Sequence, residues 1–176
     1  EQFFKKEGNK IFSYPMKGTC PRSNDTLQDK EFKHTLKKSS KDKSEHLMIV
    51  DLIRNDIGKI SKFGTVKVNN LFNIESYETV HHMVSEVSGE LLDDITELKI
   101  VKALFPGGSV TGAPKESAMK IIDILENYNR NIYTGAIGYI KNNGDMNFNI
   151  PIRTMTINNG VAVYPVGGGI VWDSIL

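Results

Sequence analysis

The order of predicted strands and helices constrains the fold of this chain more than any single motif. Two short strand-like runs, QFFKK and KIFSYPM, surround an EGN turn, and further hairpin-like runs close the chain. Helical patterns fall between these runs in blocks. A doubly wound parallel sheet would require strands and helices to alternate strictly. The block order therefore predicts an α+β fold built on antiparallel sheet.

Apolar spacing and turn residues place the individual elements. Asp25 is predicted to be the N-cap of the first helix, and Pro114 the first residue of the last one. In the second helix Leu47, Val50 and Ile57 recur at helical spacing. The predicted helices cover 25–38, 41–60, 95–105 and 114–128, and the predicted strands, besides the first two, lie within 63–91, 132–141, 146–157 and 161–171.

The charge balance argues against two classes of partner. Lys and Arg number 22 and Asp and Glu 21 in 176 residues, so the net charge is only +1. A chain with so little net charge has no long-range field that would attract nucleic acid or a membrane. We interpret the basic segment KHTLKKSSKDK as a solvated helix face, with a membrane-surface role as the less favoured alternative.

The cysteine content predicts the cellular compartment, and the two ends of the sequence predict whether it is a fragment. Cys20 is the single cysteine, so neither an intrachain disulfide nor a thiolate metal cluster can form. This fits a reducing compartment, and without a signal peptide or long apolar run we expect a cytoplasmic protein. The chain starts at EQFF and stops at VWDSIL after a glycine run, so we expect a fragment of a longer protein.

Two glycine-rich segments are candidate anion sites. In FPGGSVTGAPK three glycines permit close backbone approach, and the following helix N-terminus favours an anion. The segment is not a Walker P-loop, because Gly-Lys-Ser/Thr is missing where that motif needs it. The backbone N–H groups of 167–169 can hold a carboxylate. The alternatives are a turn between two helices for the first segment and a strand-end bend for the second.

Several charged residues are candidates for chemistry. Lys17 follows a strand-like run and precedes Gly18, so it is either a solvated side chain or one that points into a cleft. His81 and His82 are predicted to face opposite sides of a strand, one interior and one exposed. Arg153, in an apolar strand pattern, requires a carboxylate from protein or substrate.

The acidic residues of the second helix do not form a metal cluster by their spacing. Glu45, Asp51 and Asp56 are six and five residues apart, which does not stack carboxylates on one helix face. At most one of them can face a given cleft. For Asp51 and Arg54 we favour a buried polar network.

Seven strings occur in an order that resembles the chorismate-utilising enzymes, a family that includes anthranilate, aminodeoxychorismate, isochorismate and salicylate synthases. The strings are PMKGT, SEHLMIVDLIRNDIG, VHHMVS, FPGGSVTGAPK, GAIGYI, IPIRTMT and GGGIVWDS. The resemblance covers essentially all of 1–176. It implies one chorismate-binding catalytic domain of the anthranilate-synthase-component-I type, with antiparallel sheets packed together and helices outside. Family members are longer, so an N-terminal region and a C-terminal helix with a second metal-binding glutamate are missing here.

The resemblance is closest to the aminodeoxychorismate synthases, and Lys17 decides this. Anthranilate synthases have a motif similar to PIAGT and aminodeoxychorismate synthases one similar to PIKGT, whereas this chain has PMKGT. The family lysine attacks C2 of chorismate and displaces the 4-hydroxyl, after which ammonia adds at C4. A lysine is a useful nucleophile when burial or a neighbouring cation lowers its pKa. Anthranilate synthase component I is the alternative, and a binding-only paralogue is another.

The resemblance also implies roles for individual residues. Besides Lys17, the catalytic residues are His82, near the departing hydroxyl, and Glu1, an acid that helps the hydroxyl leave. Glu45 matches a glutamate that binds Mg²⁺ together with the substrate carboxylate, a ligand set that this ion prefers. The implied substrate-binding residues are Thr19, Thr111, Tyr139, Arg153, Gly168 and Gly169. The implied partners are chorismate, ammonia and a glutamine amidotransferase subunit.

Overall fold

A computed structural model describes residues 1–170, so Val171 at the end of the last predicted strand lies outside the described part. The helices are α1 (Thr26–Lys38), α2 (Ser40–Gly58), α3 (Glu97–Leu104) and α4 (Lys115–Leu125), with a 3₁₀ turn at Gly108–Val110. The strands are β1 (Gln2–Glu7), β2 (Lys10–Ser13), β3 (Met16–Pro21), β4 (Lys67–Ser76), β5 (Val80–Glu90), β6 (Ile137–Ile140), β7 (Met146–Asn149), β8 (Thr156–Asn158) and β9 (Val161–Val163).

Seven of the strands form one antiparallel sheet. The long strand β5 pairs with β4 along one edge and with β3 and β2 in succession along the other. Beyond β2 the order continues through β1, β7 and β6, and β8 pairs with β9 in a separate hairpin. The α+β class with antiparallel sheet is therefore confirmed.

Local capping chemistry sets the helix starts. Asp25 caps α1 as predicted, because its side chain accepts a hydrogen bond from the Leu27 N–H at 2.9 Å. Ser39 caps α2 by accepting from the Asp42 N–H at 3.2 Å. Pro114 is the N-cap of α4 and not its first helical residue, because its extended backbone (ψ 139°) lies outside the helical region.

The core lies between the sheet and α2. Val50 and Ile57 are buried as predicted, together with Phe4 and Ile11 of the sheet and other apolar residues of β5 and α3. Leu47 is 49% exposed and does not join this core. At Gly89 of β5 a Cβ would lie 3.0 Å from Ile57 Cγ2. The glycine therefore lets the end of α2 approach the sheet closely.

A buried histidine also ties α2 to the sheet. His46 Nε2 lies 2.7 Å from Ser85 Oγ of β5, and Ser85 Oγ also accepts from the Phe72 N–H of β4. The His46 ring is fully buried and meets the Phe72 ring edge-on. Burial lowers the pKa of His46, and the nearby Lys17 carbonyl opposes this effect only in part.

Two sequence predictions about polar residues are wrong. The predicted strand 146–157 is broken after β7, and Arg153 lies in the intervening bend with φ +52°, exposed to solvent. Asp51 and Arg54 form an ion pair of 2.6 Å on the exposed side of α2, not a buried network. In both cases a polar side chain avoids the cost of desolvation by remaining at the surface.

The remaining differences concern the last third of the chain. The amphipathic helix α4 forms as predicted, yet Ile121, Ile124 and Leu125 are each more than half exposed. The glycine run does not end a strand, because β9 already stops at Val163. Within residues 1–170 no helix is long and apolar enough to cross a membrane.

Ile57→Ala should lower the free energy of unfolding by about 2–5 kcal/mol, because it leaves a cavity against β5 where the side chain is fully buried. Leu47→Ala on the same helix should change it by less than about 0.5 kcal/mol, because that side chain is half exposed. Urea denaturation measures both. Equal losses for the two variants would contradict this packing.

The stability of the fold should fall as the pH drops below about 6.5, the ordinary pKa of histidine. The unfolded chain then binds a proton that the folded state, with the lowered pKa of His46, does not. The loss is at most about 1.4 kcal/mol per pH unit from this group. His46→Gln should flatten the slope of unfolding free energy between pH 7.5 and 5.5, and exposed His34→Gln should leave it unchanged. A wild-type slope in His46→Gln would refute this assignment.

Candidate active site

Lys17 lies in a β-bulge at the start of β3. The pairing of β3 with β5 shifts register between Met16 and Thr19, so the two residues between them fall outside the regular ladder. A bulge re-aims a side chain that would otherwise alternate across the sheet. Gly18 has φ +91°, and a Cβ there would lie 3.2 Å from Asp42 Cβ. The position therefore requires glycine for both its backbone and its space.

Three segments that are distant in sequence meet at the Lys17 amine. Its Nζ lies 3.2 Å from Oε2 of Glu45, which α2 carries. The Lys17 side chain is 38% exposed and that of Glu45 18%, so solvent still reaches the pair. Gly169 of the glycine run lies on another side, since a Cβ built there would be 3.2 Å from Lys17 Nζ. Lys17 therefore points into a cleft.

His82 faces the same region from β5. It pairs across the sheet with Thr19, whose Oγ1 lies 2.7 Å from His82 Nδ1. Partial burial lowers the pKa of His82, and the positive charge of nearby Arg153 lowers it further. An imidazole that is neutral near pH 7 can accept a proton or a hydrogen bond. His82 thus contacts Thr19, two residues from Lys17 on the same strand, and lies within electrostatic reach of Arg153.

The preceding residue, His81, makes structural contacts and does not face the cleft. His81 is almost fully buried, with Nε2 3.1 Å from Asp29 Oδ1 and Nδ1 2.9 Å from Ser76 Oγ. These contacts tie β5 to α1 and to the end of β4. The prediction of one interior histidine is confirmed at His81, whereas His82 is half-buried and not exposed as predicted.

Glu1 lies between the Lys17 region and the glycine-rich segment. Burial raises the pKa of its carboxyl group, while a hydrogen bond from Ser109 and the Lys17 charge oppose this rise. The hydrogen bond runs from Ser109 Oγ to Glu1 Oε1 at 3.3 Å. A carboxyl group with a raised pKa can act as a proton donor at higher pH than an ordinary glutamate.

The glycine-rich segment turns between α3 and α4, and its glycines allow close packing. A Cβ at Gly108 would lie 2.2 Å from Leu52 Cδ2 of α2, and one at Gly107 would lie 2.9 Å from Ile150 Cδ1. Thr111 Oγ1 donates to the Gly107 carbonyl at 2.9 Å. The turn interpretation is therefore confirmed. Close packing against α2 and the end of β7 accounts for these two glycines.

The structure corrects the tyrosine that was expected to line the pocket. Tyr139 lies on β6, half exposed, with the Lys141 amine 6.0 Å from its ring centre. Three strand spacings separate β6 from the strand that carries Lys17, which is about 14 Å. The hydroxyl of Tyr133 instead approaches the glycine run, 2.6 Å from a Cβ built at Gly167. Tyr133 also lines an open cavity of about 460 Å³ with Thr111.

Sequence reasoning could not have chosen between these two tyrosines. Both belong to the string IYTGAIGY, and the spacing alone does not show which one faces the glycine run. Gly168 has no heavy atom within 4 Å of a Cβ built on it, so it borders open space next to Gly169. Its position is compatible with a ligand-binding backbone, and its role stays a prediction.

The acidic side chains bear on whether the chain can hold a metal ion. Among residues 1–170 no group of three or more His, Cys, Asp or Glu side chains could hold a metal ion by itself. Glu45 offers one partly buried carboxylate at the cleft. Mg²⁺ is commonly held by one or two carboxylates together with substrate oxygens and water. Glu45 therefore fits such a shared site and not a site made of protein ligands alone.

Comparisons with known proteins identify the family of this chain. The chain is 47% identical over 174 residues to aminodeoxychorismate synthase component 1 of Salmonella typhimurium, covering 99% of this chain and 38% of that protein. It is 45% identical to anthranilate synthase component 1 of Saccharolobus solfataricus, covering 99% and 41%. The crystal structure of anthranilate synthase component I from Streptococcus pneumoniae superposes with a TM-score of 0.89 at 39% identity, covering 99% and 38%.

The chain thus spans about two fifths of the length of these relatives. The family model described as chorismate binding enzyme matches residues 1–176. The chain therefore belongs to the chorismate-binding enzyme family.

Proposed function

We propose that the protein is an aminodeoxychorismate synthase component I. It would convert chorismate and ammonia to 4-amino-4-deoxychorismate, the precursor of p-aminobenzoate and folate. The observation that supports this best is the Lys17 amine, which lies in the cleft between Glu45 and Gly169. Relatives of both the aminodeoxychorismate and the anthranilate branch match at similar identity, so overall similarity does not separate them. The lysine at position 17 favours the first branch.

In the proposed reaction Lys17 is the nucleophile. Its uncharged amine forms a bond to C2 of chorismate, the two conjugated ring double bonds each shift by one position, and the C4–O bond breaks. Glu1, whose pKa is raised by burial, protonates the departing hydroxyl so that water leaves. Ammonia then bonds to C4 and gives up a proton, the two ring double bonds shift back, and the C2–N bond to Lys17 breaks. The amine is thereby restored, which fits a covalent catalyst.

The other side chains of the cleft would orient the substrate. Neutral His82 and Thr19 form one wall near the departing hydroxyl. The Arg153 guanidinium and the backbone at Gly168 and Gly169 would receive carboxylates of chorismate, because guanidinium and backbone N–H groups are the donors that carboxylates prefer. Thr111 and Tyr133 lie around the adjoining cavity and would complete the pocket.

Mg²⁺ is proposed as the cofactor, held by Glu45. The ion would neutralise the substrate carboxylate that it shares with this residue. Glu45 is paired with Lys17 in the structure. With Glu45 holding the cation, the Lys17 amine would lose its ion-pair partner and would be free to approach C2.

Ammonia is proposed to come from a glutamine amidotransferase subunit, in keeping with the "component 1" in the names of relatives. We also propose a cytoplasmic location. Anthranilate synthase component I is the second candidate, favoured by the structural match to that protein. A binding-only paralogue is disfavoured because Lys17, His82 and Glu45 occur together.

Product identification tests the proposal. The full-length polypeptide that carries these residues is incubated with chorismate, Mg²⁺ and ammonium, and the products are identified by mass spectrometry. A product with nitrogen at C4 that keeps its enolpyruvyl group supports the proposal. Anthranilate plus pyruvate would refute it and identify the second candidate.

Lys17→Ala should abolish formation of aminodeoxychorismate or redirect the reaction to another product, because no amine remains to attack C2. The loss should be at least about 10³-fold, within the range known for removal of a covalent nucleophile. Exposed Lys37→Ala on α1 is the control and should retain activity. Unchanged output from Lys17→Ala, with an unchanged unfolding midpoint, would exclude the nucleophile role.

Glu45→Gln should shift the Mg²⁺ titration of activity to higher concentration, because an amide oxygen is a weaker ligand for a hard cation than a carboxylate. The shift should be on the order of 10-fold or more, the scale for disturbed metal sites. Asp51→Gln, an exposed carboxylate on the same helix, is the matched control. The same Mg²⁺ dependence in both variants would count against Glu45 as a ligand.

A further inference from the structure

The chain has a second lysine of interest, which ends the segment FPGGSVTGAPK. It is buried and has no part in the proposed chemistry. Lys115, the first residue of α4, lies 2.6 Å from Oδ2 of Asp56, and the two side chains are 14% and 4% exposed. Its Nζ also donates to the carbonyl oxygens of Leu104 and Pro106, each at 3.0 Å. These three acceptors match the three N–H donors of an ammonium group. Lys115 is therefore fully hydrogen-bonded.

The contacts of Lys115 hold one end of the glycine-rich segment. Leu104 is the last residue of α3 and Pro106 lies two residues later, so both carbonyls flank the start of the turn. In the middle of the turn Arg130 donates from Nη1 to the Val110 carbonyl at 3.0 Å, while Glu126 binds the same guanidinium. Two cationic side chains, Lys115 and Arg130, thus donate hydrogen bonds to carbonyl oxygens at and near the turn. Asp56 anchors the first cation to α2.

A contribution to stability does not by itself explain why two cationic side chains bind the carbonyl oxygens of this turn. A buried ion pair often contributes no more to stability than apolar residues of the same size would. Its directional hydrogen bonds, however, set the position of a segment. The turn carries Ser109, which donates to Glu1, and Thr111, which borders the cavity.

We infer that Lys115 and Asp56 are a positioning pair for the turn 105–114 and, resting on the proposed function, for the Glu1 acid and the Thr111 wall of the chorismate pocket. The pair does not touch the reacting atoms. It orients Ser109 and Thr111 through the carbonyls at the start of the turn.

The same carboxylate supplies a matched control. Lys59 binds the other oxygen of Asp56 at 2.8 Å, is 57% exposed, and makes no contact with the turn among the hydrogen bonds of residues 1–170. Lys115→Met removes the bridge to the turn, and Lys59→Met removes only the exposed partner. The double variant Lys115→Met/Asp56→Asn keeps no unpaired buried carboxylate, so it tests the bridge if the single variant fails to fold.

Hydrogen exchange and kinetics of the full-length protein test the pair. Amide exchange in 105–114 should accelerate in Lys115→Met and in the double variant and stay at the wild-type rate in Lys59→Met. The kcat should fall by about 10²-fold, the cost of a displaced catalytic geometry. The KM for chorismate should rise because Thr111 moves, whereas a mere loss of folded enzyme leaves KM unchanged.

The two readouts separate the possible failures. Faster local exchange that is confined to the Lys115 variants supports the positioning role even if the product is not aminodeoxychorismate, in which case only the proposed function fails. Equal exchange in the Lys115 and Lys59 variants overturns the positioning role. An unchanged KM in a folded Lys115 variant overturns the link from the pair to the Thr111 wall, whichever product is formed.

Discussion

The simultaneous pairing of β5 with three other strands is the constraint on which the rest of the structure depends. Its 11 residues hold β4 along one edge and β3 and β2 along the other. Buried backbone donors and acceptors must be paired, so none of these strands can slide without leaving several groups unsatisfied. Because β3 carries Lys17 and β5 carries His82, the same ladder also sets the spacing of the two residues in the cleft. The bulge within that ladder then aims Lys17.

The packing of helix α2 in the core fixes the position of the Glu45 carboxylate. Its Ile57 packs against β5 at Gly89, and its His46 bonds to Ser85 of the same strand. Contacts of this kind resist rotation or sliding, because interiors are close-packed and a buried polar group needs its partner. Glu45, next to His46 in sequence, is thereby held beside the Lys17 amine. A functional residue on an element locked in this way is positioned more precisely than one on a free loop.

Two of the lysine–carboxylate pairs show how burial gives the same pair of charged groups different properties. Lys115 and Asp56 are buried and hydrogen-bonded to capacity, so their geometry is fixed. Lys17 and Glu45 are partly exposed, and within the described residues each has the other as its ion-pair partner. A solvated pair separates at small cost, since water replaces the lost attraction. The first pair suits a structural task and the second a reaction in which the amine must come free.

Features that depend on neighbouring residues could be predicted from the sequence: the helix that begins after Asp25, the α+β block order, and the motifs that contain Lys17, His82 and Glu45. Features that depend on contacts between distant segments could not: Tyr133 and not Tyr139 approaches the glycine run, Arg153 leaves the strand, and Asp56 binds Lys115. Caps and periodicity arise from hydrogen bonds and packing within a few residues. Which side chains meet across the molecule depends on strand register and on the packing of distant segments, and these are set only when the whole sheet has formed.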